Sequence, residues 1–217
     1  VLRDTIDIVA DLLVNEPPAV HLGVPRTEAH QIYSLLVPSI AKEGLSHAVV
    51  DRTIGQVVCV ALRQDYTSPF NEEVAKLLES TVSAPHWNIS VEMHDWFEKT
   101  YKPVPGQIIN PFSGGPRRGM LRKGLLNTIV LYGLQFSLSQ GFTQSLVECT
   151  SSYSVVPYQR TGSKIIRSTS YKDFVWEGRR PFEGMPAEHP QVSLVYNDNL
   201  KLSAQRFAKE YEPLAKL

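Results

Sequence analysis

The stretch Ser113–Leu138, SGGPRRGMLRKGLLNTIVLYGLQFSL, constrains the fold more than any other part of the chain. Its first half sets Gly114, Gly115, Gly119 and Gly124 among the cations Arg117, Arg118, Arg122 and Lys123. Its second half places Leu125, Ile129, Leu134 and Leu138 at helical spacing, with Leu126, Val130 and Leu131 beside them. A glycine-rich basic turn that opens a helix suits a phosphate group. The free N–H groups of the first turn point at the anion, the helix dipole favours its charge, and glycine admits a close backbone. Arg122 and Lys123 add charge at the same place. The alternative is a solvated basic turn ahead of a core helix. Neither a GK[ST] ending nor a GxGxxG pattern is present, so a phosphate here requires another nucleotide-binding architecture.

The rest of the chain frames this stretch. Ile6, Val9, Leu12 and Leu13 predict a helix over 1–14, stopped at Asn15-Glu16-Pro17-Pro18 because proline disfavours a helical residue before it. A second helix is predicted over 28–41, kinked or shortened by Pro38 and closed by Gly44. A hairpin follows, 47–51 with 55–63, and its second strand is apolar enough to be buried on both faces. Residues 71–102 read as a helical insertion in two pieces, 71–80 and 88–101, broken at Pro85. Trp87, Trp96, Phe97 and Tyr101 make it the most aromatic part of the chain, as core packing or as a wall over an apolar substrate. Strands are expected at 106–112, 143–150, 164–174 and 191–197, helices at 121–140 and 151–160, and a helical tail at 200–217. This order describes one α/β domain over 1–217 with a mixed sheet.

Lys+Arg and Asp+Glu are both 22, so the net charge is zero, which argues against broad nucleic-acid or membrane-surface binding. Cys59 and Cys149 lie in apolar runs and read as buried thiols, which fits a cytoplasmic location. The chain begins at Val1 rather than Met, and a further N-terminal segment is expected before it. His21, His30, His47, His86, His94 and His189 have no metal-ligand spacing, so no metal is expected, and His86 and His94 read as surface histidines or substrate contacts. No G-x-S-x-G motif supports a serine hydrolase.

Four pieces, in order along the chain, resemble the GCN5-related N-acetyltransferase (GNAT) superfamily and, within it, the invertebrate arylalkylamine N-acetyltransferases. Asn15-Glu16-Pro17 before Leu22-Gly23 resembles the branch's DEPLN…LG block. Ala48–Leu62 resembles its AV…G.IVGV.L hairpin, and Arg122-Lys123-Gly124-Leu125 resembles the end of the acetyl-CoA motif [QR]-x-x-G-x-[GA]. Glu148-Cys149-Thr150-Ser151-Ser152-Tyr153-Ser154 resembles its CSSHFS…GF block, with Gly162 following. The chain departs from the pattern at Leu121, where Gln or Arg is usual, and at Leu126, where Gly or Ala is usual. Ser113-Gly114-Gly115-Pro116 stands where a hydrophobic-His-Pro run is usual.

The resemblance implies a GNAT-like mixed sheet flanked by helices, with acetyl-CoA lying between two splayed parallel strands. It implies that backbone amides from Arg122 through Gly124 and Leu125 to Leu126 hold the pyrophosphate, with Arg117, Arg118 and Lys123 adding charge. It assigns Glu16 as the general base toward a small primary amine, of the tyramine, dopamine, octopamine or serotonin type. Ser154 and Thr150 match the branch's hydroxyl pair, Ser154 as proton donor to the departing thiolate and Thr150 to orient. Thr150 could equally be a helix cap, Tyr158 is the rival acid, and Tyr153 falls at a packing position. Direct transfer by a monomer or homodimer is implied. Two other readings remain open: a GNAT acting on a polyamine or amino acid, and a non-catalytic CoA-binding module of this fold.

Overall fold

The structure is a computed structural model that describes residues 1–120 and 125–211. The phosphate-site expectations for Leu121, Arg122, Lys123 and Gly124, the side chain of Leu126 and the tail 212–217 lie outside the described residues. Three helices open the chain: α1 (Leu2–Leu13), α2 (Pro17–Leu22) and α3 (Arg26–Ala41). The hairpin β1 (His47–Asp51) and β2 (Gln56–Asp65) leads to the insertion helices α4 (Glu72–Leu78) and α5 (Ala84–Tyr101). Then follow β3 (Ile108–Pro116), α6 (Leu125–Ser139), β4 (Gln144–Cys149), α7 (Ser152–Arg160), β5 (Lys164–Ser170), β6 (Gln191–Asn197) and α8 (Leu200–Tyr211).

Among the described residues the strands form one six-stranded sheet in the order β1-β2-β3-β4-β6-β5. All neighbours are antiparallel except β3 and β4, which run parallel. That pair is joined only at Ile108↔Gln144 and Ile109↔Ser145; beyond these rungs the strands part. Helices cover both faces. Val60 and Leu62 of β2 pack with α1, α3 and α4, while Cys59 and Ala61 pack with Ile129 of α6. Ile89, Met93 and Phe97 of α5 meet Ile108, Leu146 and Leu194 of the sheet. The two-sided burial expected of β2 is observed.

Several boundaries differ from the sequence reading for physical reasons. Pro38 does not end α3, because Val37 and Ile40 on either side of it are buried and tertiary packing carries the last turn. Pro85 does not break a helix; it sits in the first turn of α5, where its missing N–H has no role. The chain after Asn15 does not form a stop alone but starts α2, with Glu16 as N-cap and prolines in its first turn. Ser113–Pro116 is not the mouth of the basic loop. It is the second half of β3, paired to β2 through Gly114↔Ala61 and Gly115↔Val60.

That register explains Gly114. A Cβ there would sit 2.6 Å from the Val60 carbonyl oxygen and 2.9 Å from the Ala61 Cα, both backbone atoms that cannot step aside. Gly114→Ala is therefore expected to push β2 and β3 apart and to cost about 1–3 kcal/mol, read as an earlier midpoint in urea unfolding. An unchanged midpoint would contradict this register. Both cysteines are buried free thiols, as expected. No helix among the described residues is long and apolar enough to cross a membrane.

Candidate active site

Where β3 and β4 part, a cavity of about 1180 Å³ opens between the strands, α1, α5 and the start of α7. Glu16 reaches it from the turn between α1 and α2. Pro17 holds Glu16 in an extended backbone (φ −72°, ψ 141°), and its side chain makes no capping bond to α2. The carboxylate is thereby free to turn toward the sheet, where Thr150 Oγ1 donates to Glu16 Oε2 at 2.6 Å. Thr150 follows the last residue of β4, and its own carbonyl accepts from the Tyr171 hydroxyl at 2.8 Å. Two residues 134 apart in sequence are thus locked together at the end of the splayed strand.

Burial pushes Glu16 up to about 7, the Thr150 bond opposes this, and the nearby Glu148 charge adds to it. A carboxylate with that value exchanges a proton near neutral pH, which suits a general base. Glu148, on β4, behaves in the opposite sense. Burial favours its neutral form, but His94, by hydrogen bond and charge, and Ser90 more than offset that and hold it below the usual carboxylate range. Ser90 Oγ donates to Glu148 Oε1 at 2.7 Å, and His94 Nε2 lies 3.5 Å from Oε2. Among the carboxylates lining the cavity, Glu16 and Glu148 thus have their proton affinities pushed in opposite directions, the arrangement from which acid and base roles are divided.

The hydroxyl pair is only partly as expected. Ser151, not Thr150, caps α7: its side chain accepts from Ser154 N at 3.2 Å, and Ser154 Oγ accepts from Ser151 N at 3.2 Å. Thr150 precedes the helix, so it is free to bind Glu16. Ser154 lines the cavity, but its hydroxyl also donates to the Ser151 carbonyl at 2.9 Å. Tyr158, one turn on, lines the same cavity, and burial drives its phenol well above the ordinary range, so it stays protonated. Tyr153 does not pack inward; it is 74 % exposed, its ring edge-on to His189. Cys149 is pushed up to about 12 by burial and remains a thiol, unsuited to act as a nucleophile at neutral pH.

The basic residues divide. Arg117 is engaged by the protein itself: Nε donates to the Val57 carbonyl at 2.9 Å and Nη2 to Asp4 Oδ1 at 3.0 Å. That ties β3 to α1 and leaves Arg118, exposed at the cavity rim, as the cation free to meet an anion among the described residues expected to do so. Leu125 is half-buried against Cys59, Ala61 and Ile129, so its side chain belongs to the core under α6. Beyond their last shared rung, the facing edges of β3 and β4 are parted, which suits the amides of a pantetheine arm.

Sequence reasoning missed Glu148 and Arg63 and left His86 and His94 open between the surface and a substrate contact. His86 is not on the surface but 5 % exposed, and His94 stacks on Tyr66 with ring centroids 5.6 Å apart. A glutamate inside the apolar run Leu146-Val147-Glu148-Cys149 was the signal, since a buried strand accepts a charge only for a partner or a ligand. Arg63 lines the cavity from β2 at 5 % exposure, bonded to Ser137 Oγ at 3.3 Å, and burial lowers it to about 10. Of the aromatic insertion, Trp87 lines the cavity and stacks on Phe112, whereas Phe97 is core and Trp96 lies under Arg167.

Thr150 supplies a separate prediction. Its bond favours the charged form of Glu16, so Thr150→Val is expected to raise the Glu16 pKa further. Any activity that needs the Glu16 carboxylate would then rise at higher pH, by about one pH unit or less. A pH–rate profile that stays in place would separate Glu16 from the titration.

The sequence matches no family model and no curated protein. Among solved structures the chain is similar to the C-terminal condensation domain of Ebony in complex with β-alanyl-dopamine, with a TM-score of 0.81 at 16 % identity over 91 % of this chain and 93 % of that one. It is similar to arylalkylamine N-acetyltransferase 2 from Aedes aegypti, with a TM-score of 0.72 at 14 % identity over 91 % and 94 %. It is also similar to the polyamine N-acetyltransferase of Drosophila melanogaster, with a TM-score of 0.59 at 18 % identity over 76 % and 79 %. At these identities the likeness is one of fold.

Proposed function

We propose that this chain, which has the GCN5-related N-acetyltransferase fold, transfers an acyl group from a thioester, acetyl-CoA in the first instance, to a small primary amine of the arylalkylamine type. The observation that carries this reading is the Thr150–Glu16 pair at the end of the splayed strand, with Glu16 poised near pH 7. A primary alkylamine has a pKa near 10, so it arrives mostly as the ammonium ion. Its cationic form is drawn to the carboxylates of the cavity. Glu16 accepts the proton, directly or through a water, as the nitrogen forms its bond to the thioester carbon. The C–S bond then breaks, the thiolate takes a proton from Ser154 or Tyr158, both of which line the cavity, and the second proton lost by the nitrogen restores that hydroxyl. Cys149 stays protonated, which favours direct transfer over a covalent acyl-enzyme. Arg118 and the backbone around Gly124 would meet the phosphates.

A second reading concerns the donor. The likeness to a condensation domain solved with an aminoacyl amide of an arylalkylamine favours an acyl group larger than acetyl. Both readings share the same amine chemistry and the same base. The test is thiol release and amide mass from acetyl-CoA, and from longer acyl-CoA donors, against a panel of phenylethylamines, indoleamines and polyamines. Amine-dependent thiol release with a stoichiometric amide is expected. CoA-stabilised melting without turnover on any pair would point to a binding module instead.

A further inference from the structure

The geometry points to a second subsite in the cavity, formed by Glu148 with Ser90, His94 and His86, that binds a primary ammonium group other than the one that reacts. It rests on the acyl-transfer reading and names a feature of the substrate that reading leaves open.

The reacting ammonium gives up two protons, the first toward Glu16, and ends as a neutral amide. It can offset a carboxylate on arrival but not through the reaction. Glu148 lies in the same cavity with only 17 % of its side chain exposed, and it is held in the charged form. Ser90 satisfies one oxygen at 2.7 Å. The other faces His94 Nε2 at 3.5 Å, longer than a hydrogen bond, while His94 Nδ1 stands 3.2 Å from the Tyr66 hydroxyl. That second oxygen keeps lone pairs that a donor in the cavity can take.

A second observation comes from the neighbouring helix turn. His86 is 5 % exposed, lines the cavity, and its Nδ1 has no hydrogen-bond partner among the described residues. Burial holds its ring below the ordinary histidine range, so it is neutral and one ring nitrogen can accept a hydrogen bond. A cavity-lining histidine with an unpartnered ring nitrogen, one turn from the Ser90 that holds Glu148, fits a ligand that brings several N–H donors. A primary ammonium offers three. Ser90 and His86 are one turn apart on α5, and the single Ser90 hydroxyl proton lies between the Glu148 carboxylate at 2.7 Å and the His86 carbonyl at 3.1 Å.

The second ammonium can come from either partner: an aminoacyl donor, or a diamine acceptor. Two arms separate these sources. In the first, tyramine is the acceptor and β-alanyl-CoA is compared with propionyl-CoA, which lacks the amino group. In the second, acetyl-CoA is the donor and a diaminoalkane is compared with the monoamine of equal length. The native protein is expected to favour the amino-bearing member of one arm by about 10- to 100-fold in kcat/KM. Glu148→Gln is expected to lower that substrate by about the same factor more than its control, collapsing the preference. Equal losses on both members, or no preference in either arm, would overturn the subsite. If no pair is turned over, the acyl-transfer reading fails, and calorimetry judges the subsite alone. β-Alanyl-tyramine against propionyl-tyramine, and an N-acetyl diamine against an N-acetyl monoamine, should then differ at least about 10-fold in Kd in one pair. That difference should vanish in E148Q, and equal binding would overturn the subsite. Should E148Q fail to fold, E148D withdraws the carboxylate by one methylene and is read the same way.

Discussion

Glu16→Gln is expected to lower kcat/KM for amine acylation by about 100- to 10,000-fold at pH 7, the range by which a positioned base accelerates proton transfer. The glutamine keeps the size of the side chain and can still take the Thr150 hydroxyl, so geometry survives while basicity does not. The native profile should rise with pH around a midpoint of about 7, set by burial of the carboxylate. The variant profile should lose that limb. Stability should move the other way. Unfolded, a glutamate titrates near 4.5; in the fold Glu16 titrates near 7. Between these values the native state holds a proton that the unfolded chain has released, so native stability falls as pH rises through the window. The glutamine does not titrate there. Glu16→Gln should therefore gain in melting temperature relative to the native protein from pH 5 to pH 8. A difference that stays constant over that range would mean that Glu16 is an ordinary solvated carboxylate.

Phe97→Ala should have the largest effect on stability. Phe97 is fully buried on α5, with ring centroids 4.5 Å from Tyr101, 5.2 Å from Tyr66 and 5.6 Å from Tyr196. It fastens the insertion helix to β6 and to the turn after β2. Truncation removes the apolar area and leaves a cavity, together costing about 3–5 kcal/mol. For a chain of this length that is about 6–20 °C in melting temperature. The same helix carries His86, Trp87, Ser90 and His94 into the cavity, so activity should fall with stability. A melting temperature unchanged within error would show that α5 is not anchored through this ring.

The order of elements was legible because apolar periodicity is a local signal, and nearly every strand and helix lies within a few residues of its expected place. The errors cluster at prolines and glycines. Pro38, Pro85 and Gly114 each have two meanings, and the one that applies depends on what packs beside them. Gly114 and Gly115 belonged to a strand that only its partner β2 could reveal. Glu16 and Thr150 could each be put in the site only through family resemblance, and their contact was not foreseen, since no spacing rule links residues so far apart. Glu148 and His94 were in plain view in the sequence. What the sequence did not contain was their contact, which needs α5 folded across β4. The capping role of Ser154 and the tie between Arg117 and Asp4 were hidden for the same reason: a side chain's partner is a tertiary fact.

The most direct measurement is a structure with a bisubstrate amide, an arylalkylamine joined through an acetyl bridge to the sulfur of CoA. The nitrogen should lie about 2.6–3.2 Å from the Glu16 carboxylate or one water away from it, with the sulfur between β3 and β4 near Ser154 and Tyr158. A nitrogen seated elsewhere in the cavity, out of reach of Glu16, would contradict the account, and so would a pantetheine arm that avoids the parted strands.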